Sequence, residues 1–473
     1  MSKPIPPDLL EKFAALAGPN GAIADPADQK PYLQDWRDLF RGTTPLVLRP
    51  RTSEAVAAIM ELAHETNTPI VPQGGSTGLV GGQIPVGGYQ QLILSLTRMD
   101  RIRSVDREGM TLVAEAGCTL QAVQEAAAGA GQYFGLRLGS QGTCRIGGNL
   151  ATNAGGTGVI AYGSTRHLCL GLEVVLADGR VWNGLRALKK DNTGYDLRDL
   201  FIGSEGTLGV ITAAVMKMHP APKSQVTAFV AVASPRAAID TLNRALGAVG
   251  PMVTAAELLP RFGLDIVLRH GPGLRDPLSE PAPWYLLLEF STGSEDPGLH
   301  TIMERILAGG LDDGSVLDAA IATSLKDAGD FWAIRDVVSE VQKAEGGSIK
   351  HDVSVPVAAI PAFIEEGNAA LEKAIPGCRP LPYGHLGDGN IHFNVSQPVG
   401  ADKDAFLARW DEINALLHGI VHRFHGSISA EHGIGQLKRH LMAEVKEPVE
   451  LEMMRAIKAA FDPKGILNPD KVI

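Results

Sequence analysis

Two histidines seven residues apart stand in Tyr383-Gly-His385-Leu-Gly-Asp-Gly-Asn390-Ile-His392-Phe-Asn394, and a glutamate–histidine pair stands in Ser429-Ala-Glu431-His432-Gly433. These are the residue types best suited to chemistry in the chain. Over 391–395 apolar and polar residues alternate, which predicts a strand with His392 and Asn394 on one face. His385 precedes that strand across a loop whose glycines can fold back tightly. Two imidazoles and a carboxylate, with a position open for water or substrate, form a common catalytic zinc arrangement. His385, His392 and Glu431 are therefore the candidate metal ligands, with zinc first and manganese or iron as alternatives of the same mixed N/O chemistry. Taken singly, each histidine is more often structural; it is the clustering with Glu431 that favours a metal. Glu431 and His432 are neighbours and point in opposite directions on an extended backbone, so Glu431 can ligate while His432 serves as general base, its ordinary pKa being about 6.5.

A second kind of chemistry is carried by three glycine-rich runs. After a short strand at 69–71 comes Pro72-Gln-Gly74-Gly75-Ser76-Thr77-Gly78-Leu79-Val-Gly81-Gly82, whose successive N–H groups could converge on one anion. A flexible turn is the plain alternative, but most connections are only about four to six residues long. The second run holds Gly142, Thr143, Gly147, Gly148, Ala151 and Asn153, with amide side chains suited to the polar edge of a heteroaromatic ring. The third, Gly203-Ser204-Glu205-Gly206-Thr207-Leu-Gly209, leads into a β-branched strand. Neither G-x-G-x-x-G after a strand nor G-x-x-x-x-G-K-[ST] occurs, so the runs point to a large, extended cofactor other than a simple nucleotide.

The elements that must position these residues follow from composition and periodicity. At 473 residues the chain needs two or three domains. With 45% hydrophobic and 20% charged residues it reads as soluble and globular, and a net charge of −10 argues against a general nucleic-acid surface. Its first residues carry no signal-peptide h-region, no apolar run is long enough for a bilayer, and Cys118, Cys144, Cys169 and Cys378 have no C-x-x-C spacing. A cytoplasmic protein with reduced thiols, not an integral membrane protein, is expected. Helices are predicted at 7–17 and from Thr52-Ser53 onward, and a hairpin turn at Asp178-Gly179. A boundary falls at Pro220-Ala-Pro222, followed by alternating strands and helices. In the helix 327–345, Phe331, Ile334, Val338 and Val341 form a core stripe with Trp332, Arg335 and Ser339 beside it. Lys350 and Asp352 then share one face of a strand. Such an arginine and lysine are ordinarily surface charges with inward-packed stems; the alternative is that they hold an anionic substrate. A long helix is predicted over 402–424.

From about Thr44 onward these runs together resemble the flavin-binding region of the vanillyl-alcohol oxidase type (PCMH-type) FAD flavoproteins. Residues 385–394 and 429–433 resemble the signatures of their D-2-hydroxyacid dehydrogenase branch, which includes D-lactate and D-2-hydroxyglutarate dehydrogenases and the glycolate oxidase flavin subunit. The resemblance implies an α+β fold: a two-subdomain FAD-binding domain over 1–220 (core 44–219), a substrate or cap domain over 221–425, and a helical segment over 426–473 packing back on the FAD domain. It implies that Gly74 to Gly78, flanked by Pro72 and Leu79, cradle the FAD pyrophosphate. Gly142, Thr143, Gly147, Gly148, Ala151, Asn153, Glu205, Gly206 and Ile211 would line the rest, with Asn390 and Asn468 at the ring edge. No histidine lies between His64 and His167, so the FAD should be non-covalent. Arg335, Ser339, Lys350 and Asn394 would bind substrate; Ser339 stands where the D-2-hydroxyglutarate enzymes have threonine. The implied activity is oxidation of a D-2-hydroxy acid (D-2-hydroxyglutarate, D-lactate or D-malate type) to the 2-oxo acid. Electrons would pass to a non-nicotinamide acceptor such as an electron-transfer flavoprotein, quinone or cytochrome, and a homodimer is compatible with the reading. A glycolate oxidase-type flavin subunit and, from a different class, a metal-dependent hydrolase are the alternatives.

Overall fold

Thr52 accepts the Ala55 N–H at 3.2 Å, and from this cap the helix Ser53–Thr66 turns Val56, Ile59, Met60 and Ala63 onto one buried face. The same device starts Leu120–Gly129 at Thr119 and Pro235–Val249 at Ser234. The computed structural model describes residues 4–87, 90–295 and 298–473. The chain folds as two units: one holds the chain up to Gly155, Ser164–Pro220 and Glu431–Ile473, the other Gly156–Gly163 and Ala221–Ala430. Among the described residues no helix is long and apolar enough to cross a membrane, and all four cysteines are buried thiols.

In the first unit, Val47–Leu48, Leu92–Ser95 and Ile70–Gln73 run parallel, with Ala22–Ile23 antiparallel at one edge. A second sheet of five antiparallel strands runs in the order Ile102–Asp106, Thr111–Glu115, Val210–Lys217, Cys169–Val175, Val181–Gly184. Its last pair is the hairpin expected at Asp178-Gly179. The end of the chain extends the parallel sheet: Ile70 donates to the Ile466 carbonyl and Asn468 to the Ile70 carbonyl, both at 2.8 Å. Ile466 and Leu467 thereby join the core of Phe13, Leu48, Ile59 and Leu92. Each such buried side chain contributes about 1.5–3 kcal/mol, so the tail is an integral layer of this unit.

The second unit is built on an antiparallel sheet ordered Val316–Ile321, Ser224–Val232, Trp284–Thr292, Val253–Pro260, Arg379–His385, Asn390–Ser396, Ser348–Ile349, with Asp352–Ser354 also on Asn390–Ser396. The mixed helix-and-sheet class is as expected, with two local corrections. His385 ends a strand, Arg379–His385, that pairs with Asn390–Ser396 as a hairpin, so both histidines come from strands and none from a loop. Pro380 and Pro382 lie within this strand and are tolerated because the neighbouring strand pairs only at Glu257↔His385 and Leu258↔Gly384, beyond the missing N–H groups. The helix over 402–424 is two, Lys403–Leu407 and Trp410–Arg423, broken where the Arg409 guanidinium turns to the Ala374 carbonyl and Glu412.

Glu345 closes this unit's edge. It accepts from Arg269 at 2.5 Å, lies 2.7 Å from His270 Nε2, and also bonds Arg379, joining one helix end to the start of a sheet strand. Burial alone would raise its carboxyl; the hydrogen bonds from His270, Arg379 and Arg269 outweigh burial and bring it from 4.5 down to about 2. A carboxyl depressed by folding gives stability that is complete above its unfolded value and lost as pH falls through the folded one. Glu345→Gln is expected to cost about 1.5–3 kcal/mol at pH 7 and to flatten the loss of stability between pH 4.5 and 2, as read by urea unfolding at stepped pH.

Candidate functional site

Strand Ile70–Gln73 ends in the first glycine-rich run, at the carboxyl edge of a parallel sheet, where α/β folds place ligands. A Cβ on Gly75 would lie 2.1 Å from the Thr143 carbonyl oxygen, so the first run rests directly on the second. The Gly206 backbone packs likewise on the Pro72 ring. Where the three runs meet is a cleft of about 130 Å³. Pro72, Gly74, Gly75, Ser76, Thr77 and Gly78 line it from the first run. Gly147, Gly148 and Ala151 line it from the second, and Glu205, Gly206 and Ile211 from the third and the strand after it. The Ser76 hydroxyl is buried without a hydrogen-bond partner, an unmet demand that a ligand oxygen would satisfy. Arg145 also lines the cleft; one of its terminal nitrogens donates to the Gly117 carbonyl at 2.9 Å while its buried Nε has no partner. That cation was not singled out from sequence, although a lone basic residue inside a glycine and amide run was its signal. Glycine amides, an unpaired hydroxyl and a guanidinium fit an extended, phosphate-bearing cofactor.

Leu79, Gly142, Thr143 and Asn153 lie outside the lining. The Thr143 carbonyl supports Gly75, and the Asn153 side chain accepts the Arg166 N–H at 3.0 Å. Asn468 donates to the carbonyls of Gly82 at 3.0 Å and Glu205 at 2.7 Å, tying the first and third runs together. Asn390 belongs to the other unit, where it donates to Asp352 and the Val353 carbonyl, each at 3.0 Å.

Glu205 reaches the tail. Its carboxylate accepts the N–H groups of Ile434 at 2.7 Å and Gly435 at 2.8 Å. Burial raises this carboxyl, against those two N–H groups and the charges of Lys438 and Lys471. Gly433 has φ 84° and a Cβ there would sit 2.7 Å from the Glu205 carboxylate, so the turn admits glycine and little else. The turn sets His432 in the wall of the cleft. Glu431 and His432 do not point apart as expected: their Oε1 and Nε2 atoms are 3.8 Å from each other, because the backbone bends here instead of running extended.

In the second unit, the register pairs Tyr383 with His392 and His385 with Asn390, and the two imidazole rings stand edge to face with centroids 5.4 Å apart. Each Nδ1 meets a buried carboxylate: His385 lies 2.7 Å from Glu257 and His392 3.8 Å from Asp352. Glu257 also accepts the Arg335 Nε–H at 2.6 Å, and the guanidinium lies over the Tyr383 ring at 5.1 Å. Burial would raise the Glu257 carboxyl, but the charges of His385 and Arg335 outweigh it and hold it low. Because an ionised carboxylate only accepts, His385 carries its proton on Nδ1, and Nε2 is its acceptor nitrogen. The donor set fits a divalent ion of mixed N/O preference. Lys350 donates to the Ser339 hydroxyl at 2.8 Å and carbonyl at 2.9 Å, while Asn394 donates to Gln342 at 2.8 Å. Trp332 donates to buried Glu289 at 2.7 Å. Glu431 lies in the first unit; the chain leaves the second at Ala430, whose N–H donates to the Asp352 carbonyl.

Comparison with known proteins gives two family matches: "FAD binding domain" over residues 44–184 and "FAD linked oxidases, C-terminal domain" over 221–472. The mitochondrial D-2-hydroxyglutarate dehydrogenase of Bos taurus is 39% identical over 464 residues, covering 96% of this chain and 81% of its own. That of Arabidopsis thaliana is 37% identical over 461 residues, covering 98% and 80%. A crystal structure of p-cresol methylhydroxylase superposes with a TM-score of 0.77 at 16% identity, covering 98% and 96%, a likeness of fold.

Because a methyl at Gly75 would collide with Thr143, Gly75→Ala is expected to part the first two runs. Bound FAD should then weaken about ten- to hundredfold, equivalent to roughly 1.4–2.8 kcal/mol, read as the flavin-to-protein absorbance ratio after gel filtration.

Proposed function

From the premise that this chain belongs to the FAD-linked oxidase family, as an FAD-linked dehydrogenase of D-2-hydroxy acids, we propose that its substrate is D-2-hydroxyglutarate and that a divalent metal assists the oxidation. What supports this reading most is His432, a titratable side chain in the wall of a cleft otherwise made of glycine-rich runs. The names of the relatives support the substrate. FAD, when bound, supplies the acceptor for the two electrons and the C2 hydrogen that leave as hydride. A divalent ion, when bound, supplies Lewis acidity that favours loss of the hydroxyl proton.

The chain's own residues do the rest. His432 takes the C2 hydroxyl proton, a role suited to an imidazole whose ordinary pKa is about 6.5. His385 and His392, with Glu431 as the carboxylate of the set, would hold the ion. Asp352, directly opposite His392 in the strand pair, is a further carboxylate for it. Arg335 has its Nε–H on Glu257, which leaves the terminal nitrogens of its fork to grip a substrate carboxylate. Lys350, its ammonium on Ser339, provides a second positive charge. Two cations suit a dicarboxylate better than D-lactate, which has one. Asn394 is a further hydrogen-bonding group beside them. The acceptor that reoxidises the flavin is of a non-nicotinamide class, an electron-transfer flavoprotein, quinone or cytochrome.

Anaerobic mixing with D-2-hydroxyglutarate is expected to bleach the flavin, with the L-enantiomer inert and D-lactate slower; bleaching by D-lactate alone would overturn the substrate assignment. His432→Ala should retain FAD and lose about two to four orders of magnitude in the rate of bleaching. Removing metal with a chelator should abolish bleaching, and restoring zinc or manganese should return it.

A further inference from the structure

We propose that Glu257 is a positioning residue that sets two functional groups at once, fixing which nitrogen His385 offers to the metal and how Arg335 is presented to a substrate carboxylate. This rests on the metal-assisted reading above. The geometry is that of one side chain with both oxygens committed: Oε1 lies 2.7 Å from His385 Nδ1 and Oε2 2.6 Å from Arg335 Nε. The first bond is inevitable from register, since Glu257 and His385 are directly opposite on neighbouring strands. The second comes from the helix Leu325–Val341, which carries Arg335 onto the Tyr383 ring. Glu257 is 1% exposed, so both oxygens are withdrawn from bulk solvent.

A carboxylate can serve both partners because both are donors. A glutamine cannot. Its oxygen can accept from one, but its amide NH2 then faces the donor of the other. Arg335 can only donate, so the glutamine oxygen stays with it, held less firmly than by a charged acceptor; His385 then turns over its tautomer, puts the proton on Nε2 and ceases to be a ligand. A buried ion pair with only a scaffolding role would behave otherwise: such pairs contribute little net stability, and removing one would lower stability without selecting metal or substrate.

The test uses the full-length, FAD-loaded chain and zinc as probe, its affinity measured by competition with a chromophoric chelator. Glu257→Gln is expected to bind zinc about 10–100-fold more weakly, with the flavin-to-protein ratio unchanged. With zinc restored to saturation, KM for D-2-hydroxyglutarate should stay raised, since Arg335 is still loosened. Glu257→Asp keeps the charge but is too short to span both partners, and should fall between. Arg335→Lys keeps the positive charge and loses the Nε–H; it should also weaken zinc, by a smaller factor, through the freed carboxylate. This variant decides the matter if Glu257→Gln fails to fold. Unchanged zinc affinity in either Glu257→Gln or Arg335→Lys overturns the positioning role. An unmodified chain that binds no zinc, manganese or iron overturns the metal reading itself, and the inference with it.

Discussion

The Glu205 carboxylate, bonded to two backbone N–H groups 229 and 230 residues further along the chain, is the contact on which the cofactor cleft depends. Closing so long a loop costs little more than closing a shorter one, because the entropy grows only with the logarithm of length. The harder requirement is that a buried carboxylate be fully satisfied. Two N–H donors and the charges of Lys438 and Lys471 offset part of the cost of burying it and leave the carboxyl raised, and burial in turn pushes the Lys471 ammonium down to about 8. Other bonds add to the same attachment. Gln436 donates to the carbonyls of Gly81 and Ile84, and Lys458 to that of Thr207. The tail is thus fastened to the first and third glycine-rich runs at several points, and His432 inherits its place in the cleft wall from them.

The second unit is organised by the same kind of group. Glu257 takes its donors from a histidine and an arginine, and Glu289 from Trp332, Thr227 and Thr254. A carboxylate only accepts, so it dictates the direction of every donor around it. A chain of net charge −10 has carboxylates to spare on its surface; those taken into the core are few and each aims particular side chains. Replacing them by apolar residues of like volume would be tolerated or stabilising in many proteins. Their presence is better explained by orientation than by stability.

How much of this was legible in the sequence follows the range of the interactions. Local signals were read well: the Thr52 cap and the Asp178-Gly179 hairpin rest on neighbours a few residues apart. His385 was placed in a loop because of the Gly and Asp residues that surround it, whereas it is the last residue of the strand Arg379–His385. Glu257 was invisible. It is a single charge within the buried strand Val253–Pro260, and its meaning lies in a partner 128 residues away. Asp352 was assigned to a strand face but given no role, since the register that sets it opposite His392 involves a strand 38 residues on. The segment 156–163 belongs to the second unit although the flanking chain belongs to the first, and no composition change marks it.

The bend at Glu431-His432 carries a consequence for the proposed chemistry. Had the two residues lain on an extended strand, their side chains would face opposite ways and could be adjusted separately. Here Gly433 turns the backbone at φ 84° against the Glu205 carboxylate, and the two side chains converge to 3.8 Å. In the reading proposed above, the carboxylate that would hold the ion and the imidazole that would act as base could therefore not be adjusted separately. The geometry that joins these roles is a single turn of backbone, fixed from the third glycine-rich run by Glu205.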